Sequence, residues 1–210
     1  MSQPTPQLTT PRPDRAERTR QRILEAAGLC FAASGYARTT VEAIAARAGV
    51  SKGIVYHHFR GKEQILERVL ERTLDEWSSA VGLDHIQAGG GSLLAALAEA
   101  QRRSLAFARE HPLVRSLFQL DGDVLLTLAS SRSVREAVER SHKQLVEAIR
   151  QGIARGELRS DLDPERTADV VRLHQMALID HLLNPEWIEV SDELVETGLD
   201  LLFHGMGAVR

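Results

Sequence analysis

Apolar residues recur at intervals of three and four positions along most of this 210-residue chain. No stretch alternates polar with apolar for more than a few residues, so the pattern predicts an all-α fold. The first helix is expected over Asp14–Ser34, with Ile23, Ala27 and Phe31 on one stripe, Leu24 beside it, and Gly35 ending it. A second, short helix carries Val41, Ile44, Ala45 and Ala48, with Thr39 and Glu42 spaced as a capping box and Gly49 as its stop. A third runs over Ser51–Phe59, capped by Ser51, with Val50 and Val55 at the hydrophobic-staple positions. At about 100° per residue, Val55 and Phe59 face the second helix. Gly53, Ile54, Tyr56 and His57 then face outward, with Lys52 and His58 on the flanks.

Gly61-Lys62 opens a long helix to about Val81, along Leu66, Val69, Leu70, Leu74, Trp77 and Val81. Three consecutive glycines fall in the break from Gly82 to Gly91. Beyond it the pattern predicts helices over Ser92–Glu110, from Pro112 through Leu120, and over Ser133 to about Arg155. Asp121-Gly122-Asp123 reads as a turn rather than a metal loop. Val134, Val138, Leu145, Ile149 and Ile153 form the stripe of the last of these helices. Asp163-Pro164-Glu165 starts another, to about Leu183, through cap, first-position proline and first-turn acid. A final helix follows from Ser191, with Leu194, Gly198, Leu201 and Gly205 placed for close approach. These last two helices are apolar on more than one face, as burial against both a subunit and a second copy requires.

Charge adds a direction to this picture. Hydrophobic residues make up 43% and charged residues 26%, ordinary for a soluble globular chain, and the net charge is −3. Residues 1–62 nevertheless hold ten Lys/Arg against four Asp/Glu, whereas 63–210 hold sixteen against twenty-five. A basic end on an acidic body suits contact with a polyanion through that end. Residues 1–13, with four prolines, are expected to be a disordered arm. Arg12, Arg15, Arg18, Arg20 and Arg22 follow, to meet phosphates or a minor groove or merely to solvate a helix start. Cys30, the only cysteine, permits no intramolecular disulfide and reads as a small core residue. No apolar run approaches the roughly 20 residues of a membrane helix, and no signal core is present, so a cytoplasmic protein is expected.

Two short helices meeting at a glycine, the second small and cationic on its outer face, form a helix-turn-helix with Ser51–Phe59 as recognition helix. The string TTVEAIAARAGVSKGIVYHHFRGKEQIL, preceded by RTRQRILEAAGLCFAASGYARTT, resembles the DNA-binding region of TetR/AcrR-type bacterial repressors. The resemblance covers roughly Thr19 to Leu70. It includes Gly35-Tyr36, Thr39-Thr40, Ile44-Ala45, Ala48 to Ser51, Tyr56, Phe59, Lys62 and Glu63.

That resemblance implies a DNA-binding domain over 14–62 and a helical effector and dimerisation domain over 63–210. Thr40, Ser51, Lys52, Gly53, Ile54, Tyr56, His57, His58 and Lys62 would contact DNA. Lys52 and Gly53 are expected at base edges, Ile54 at a thymine methyl, and the others mainly at phosphates. The family implies two-fold dimers through the last two helices, about 163–183 and 191–206, on a palindromic operator. It also implies a small-molecule pocket, for which Trp77, Phe107, Leu117, Phe118, Leu145, His174 and Leu178 are candidates. So few charges interrupt those stripes that an apolar ligand is expected. The whole reads as a dimeric, ligand-released repressor, with an activator or a non-DNA-binding adaptor of the same fold as the alternative.

Little favours other chemistry. His174 and His181 share a helix face, but no i,i+4 histidine pair, H-E-x-x-H or third ligand accompanies them, so they read as lining a pocket or an interface. The glycine triplet lacks the lysine of a phosphate loop, and no Ser/His/Asp arrangement stands out. No enzyme activity, metal or cofactor is expected.

Overall fold

The computed structural model describes residues 15–82, 92–114, 131–184 and 189–207. The arm at 1–13, the glycine triplet, Asp121-Gly122-Asp123 and all of the Pro112 helix beyond Val114 lie outside the described residues. Within them the chain is all-α. The helices are α1 (Arg15–Arg38), α2 (Val41–Ala48), α3 (Lys52–His58), α4 (Lys62–Val81), α5 (Leu93–Glu110), α6 (Arg132–Ala154), α7 (Pro164–Leu183) and α8 (Asp192–Met206). Among these residues extended backbone pairs at a single bridge, Leu158 with Gly207.

Two cores organise the helices. In the first, Ile23, Ala27 and Phe31 of α1 close over Ile44 of α2 and Val55 of α3, and over Ile65, Leu66, Val69 and Leu70 of α4. In the second, α5 to α8 bury Leu97, Leu145, Ile149, Ile179, Leu199 and Phe203. The helix α4 belongs to both, because Trp77 near its far end packs on the second core. Leu113 and Val134, from the second half of the chain, reach back to the first.

The turns follow local chemistry. Gly35, at φ 74°, bends α1, which resumes for a short stretch to Arg38. Gly49, at φ 64°, ends α2, and the amide of Val50 donates to Ala45 O at 3.0 Å. The α2 cap, however, is Thr40 and not Thr39. Thr40 Oγ1 accepts from the Ala43 amide at 3.2 Å, whereas Thr39 is buried and donates to Gly35 O at 2.7 Å and toward Cys30 O at 3.2 Å. Thr39 thus satisfies carbonyls freed at the α1 bend, which leaves its neighbour to cap. Val138 also departs from its expected core position and is 38% exposed, because the first half of α6 borders a cavity instead of the core.

Gly152 of α6 lies in close contact with Leu93 and Leu158 of the second core. A Cβ there would collide with Leu93 Cδ2 and lie 3.1 Å from Leu158, both buried side chains with nowhere to move. Gly152→Ala is expected to destabilise the fold by about 1–3 kcal/mol through overpacking, read as a lower urea midpoint.

Candidate nucleic-acid interface and interior cavity

The outward face of α3 is a product of how little of the helix is buried. Ser51 caps it, its Oγ accepting the Ile54 amide at 3.3 Å, and Val55 and Phe59 are sunk in the first core. Arg20 lies over the Phe59 ring, 5.7 Å from its centroid. Lys52, Gly53, Ile54, Tyr56 and His57 are left exposed, Tyr56 by half its surface. His58 is half-buried and meets His57 edge to face at 5.3 Å. Thr40 is exposed at the start of α2, next to this face. Ser51 uses an oxygen lone pair for capping, so its hydroxyl hydrogen can still be donated outward, whereas Thr40 both caps α2 and bonds the Glu42 carboxylate.

Two of the expected contact lysines are engaged within the protein. Lys52 Nζ pairs with Glu42 across the α2–α3 turn and lies 5.7 Å from the Tyr56 ring centroid. Their hydrogen bond holds the Glu42 carboxyl below its usual range and raises the Lys52 ammonium above its own. Lys62 is half-buried; its Nζ donates to Tyr36 O at 2.9 Å and sits 4.2 Å from the Tyr36 ring centroid. A cation at the last carbonyls of α1 complements the helix dipole and ties the start of α4 to the end of α1. Arg22 does the same for α2, donating to Ala48 O at 2.5 Å. The contacts that Glu42, Arg22 and Tyr36 make across elements have no signal in the sequence, because periodicity reports only on one element at a time.

Gly53 serves nothing in the fold. A Cβ built there would find only Ser51 Oγ, at an ordinary 3.8 Å. A glycine inside a helix costs about 0.5–1 kcal/mol relative to alanine, so its use fits a surface that something must approach closely.

In the other half, α4, α5, α6 and α7 enclose a cavity of about 380 Å³. Leu97, Ala100, Gln101, Leu145 and Val171 form its buried floor, and Trp77 its side. Asp75, Ser78, Val138, Arg140, Arg172 and Met176 stand around the mouth. Of the residues expected to line a pocket, Trp77 and Leu145 do so; Leu117 and Phe118 lie outside the described residues. Phe107 stands outside the lining, stacked on Trp77 at 5.7 Å and on His111 at 4.8 Å. Leu178 packs on the second core.

His174 lies at the crossing of α7 and α8, where a Cβ on Gly198 would be 3.1 Å from its Nε2. Gln101 Nε2 donates to Val171 O at 3.1 Å, which turns Gln101 Oε1 toward His174 Nδ1 at 3.2 Å and fixes the proton on Nδ1. Burial lowers the His174 pKa, which favours the neutral ring. Trp77 Nε1 donates to Ser104 Oγ at 2.9 Å, and Gln175 bonds the same hydroxyl. His181 donates from Nδ1 to Ala177 O at 2.9 Å, apart from His174. Among the described residues no cluster of His, Cys, Asp or Glu could hold a metal, and no helix is long and apolar enough to cross a membrane.

Residues 23–69 match the family described as bacterial regulatory proteins, tetR family. The transcriptional regulator TtgR of Pseudomonas putida is 29% identical over 197 residues, covering 90% of this chain and 93% of that protein. The transcriptional repressor KstR2 of Mycolicibacterium smegmatis is 29% identical over 160 residues, covering 76% of this chain and 77% of its own length. Among solved structures, SmeT, the repressor of the Stenotrophomonas maltophilia multidrug efflux pump SmeDEF, superposes with a TM-score of 0.72 at 24% identity, covering 92% of this chain and 93% of SmeT.

Two substitutions separate fold from contact. Gly53→Ala is expected to raise stability by about 0.5–1 kcal/mol while weakening DNA binding, seen by denaturation and mobility shift on one sample. Lys62→Ala is expected to lose about 1 kcal/mol of stability along with binding, whereas Tyr56→Ala loses binding alone.

Proposed function

We propose that this chain, which belongs to the TetR family of bacterial transcriptional regulators, is a two-fold dimeric repressor. In this reading it leaves a palindromic operator when a small ligand with an apolar body fills the α4–α7 cavity. The observation that carries the DNA half is the outer face of α3, where a glycine, a cation, a phenol and the His57 imidazole are exposed without serving the core. Lys52 and Gly53 would meet base edges, Ile54 a thymine methyl, and Thr40, Ser51, Tyr56, His57, His58 and Lys62 mainly phosphates. Residues 14–62 would then be the DNA-binding domain and 63–210 the effector and dimerisation domain. The repressor direction draws on KstR2 and SmeT, which are described as repressors.

The dimer reading rests on α7 and α8. Leu173 is 69% exposed and Leu201 72%, with Val170, Met176 and Leu194 also open beside Ala177 and Gly198. Apolar side chains this open on two neighbouring helices suit a partner surface. A two-fold partner would cover them with the same face, small residues allowing close approach.

Release needs the cavity and the DNA face to share an element with two arrangements. The shared helix α4 is that element. From Trp77 the contacts run through Phe107 and His111 to Glu76, 3.4 Å from the imidazole, and on to Arg72, which pairs with Glu76 and with Glu25 of α1. A ligand that shifts Trp77 therefore acts on a helix whose first turns are fixed in the DNA-binding core. To turn a mostly competent dimer mostly incompetent, it must prefer the second arrangement by roughly 10⁴-fold.

The reading is tested with promoter DNA from beside the protein's own gene. Wild type should bind as a dimer, and Lys52→Ala should lose base preference as well as affinity. The pair Leu173→Glu and Leu201→Glu should sediment as a folded monomer and bind at least about tenfold more weakly, since one half-site must act alone. A charged pair that still sediments as a dimer would exclude α7 and α8 as the interface.

A further inference from the structure

The cavity mouth carries two arginines that make no ion pair among the described residues. Residues 63–210 are acidic, with twenty-five carboxylates to sixteen cations, and their guanidinium groups are readily paired. Arg68 meets Glu71 at 2.7 Å, Arg102 meets Glu196 at 2.6 Å, and Arg159 meets Asp161 at 2.8 Å. Arg140 of α6 and Arg172 of α7 do not follow suit. Neither has a hydrogen bond or ion pair among the described residues, and both line the same cavity. Arg172 is half-buried, where an uncompensated charge is held at a cost in solvation. The one carboxylate that shares the lining, Asp75, projects from α4 and forms no ion pair with either arginine.

Resting on the reading of this cavity as the effector site, we propose that its ligand is a monoanionic amphiphile, an aromatic or medium-chain carboxylic acid. Its charged group would be held at the mouth between Arg140 and Arg172. Two guanidiniums against one carboxylate leave a single positive charge there, which one carboxylate neutralises. The planar fork of each arginine suits that group better than a point cation would. Below the mouth, Leu97, Leu145, Val171 and Trp77 offer an apolar bed. The floor amide, Gln101, is already spent on Val171 O and His174, and Gln175 on Ser104. A volume of about 380 Å³ lies at the lower end of small-molecule sites, which favours a compact body.

A matched pair of fluorescent probes tests the charge. 8-Anilinonaphthalene-1-sulfonate and N-phenyl-1-naphthylamine share one aromatic body and differ by the anionic group. The intact protein should bind the sulfonate at least about tenfold more tightly, the scale of one charge-assisted hydrogen bond. Dodecanoate should displace it and dodecyltrimethylammonium should not. Arg140→Gln and Arg172→Gln should each weaken the sulfonate by about tenfold and leave the neutral amine within about twofold. Val138→Trp, at an exposed position on the mouth, should block both probes. Equal binding of the two probes, or glutamine variants that weaken both alike, would overturn the anionic ligand and leave the effector cavity standing. Failure of both probes to bind, or indifference to Val138→Trp, would remove the cavity reading and this inference with it.

Discussion

A helix of seven residues has almost no stability of its own in water, since nucleating the first turn costs more than so few hydrogen bonds return. The helix α3 exists because Val55 and Phe59 are buried by α1, α2 and α4, with Ser51 closing its start. This constraint divides the helix sharply. Its inner face is committed to apolar contact, so its outer face is free to be chosen for something else. Gly53, a poor helix residue in a marginal helix, sits on that free face. The local cost is tolerable only because the core, and not intrinsic propensity, holds the helix together.

The same core ties recognition to the rest of the molecule. The first turns of α4 complete it and the last turns reach Trp77, so α4 cannot tilt without disturbing one cluster or the other. Leu113 and Val134 strengthen the link from the far side. Packed interfaces of this kind tend to switch between discrete arrangements rather than deform smoothly. A modest displacement at the cavity can thus be passed on through a rigid body, and polar contacts such as His111–Glu76 set its orientation.

Much of this was legible in one dimension. Periodicity located the helices to within a residue or two at most ends, because each buries a stripe, and Gly49, Ser51 and Asp163-Pro164 marked boundaries through local backbone chemistry. What escaped were contacts between elements. Thr39 and Thr40 differ only in which one the α1 bend buries, and the sequence has no means of ranking them. The bond from Lys62 to Tyr36 O has no sign in the sequence until α1 is folded beneath it. Phe107 and His174 share apolar or polar stripes with cavity residues, yet stacking and a helix crossing turn them aside. Arg140 and Arg172 carry no signal at all until α6 and α7 bring them to one opening.

The Glu42–Lys52 pair bears on how binding would respond to electrolyte. A lysine that arrives at a duplex bare displaces a condensed counterion, and the steepness of log K against log salt counts such displacements. Lys52 arrives already neutralised by its neighbour. Moving it to a nucleotide would strip Glu42 of its partner and leave a carboxylate near the phosphates, whose repulsion grows as salt falls and offsets part of the gain. The slope would therefore fall short of the number of cations in contact, and a footprint inferred from ionic strength alone would come out too small.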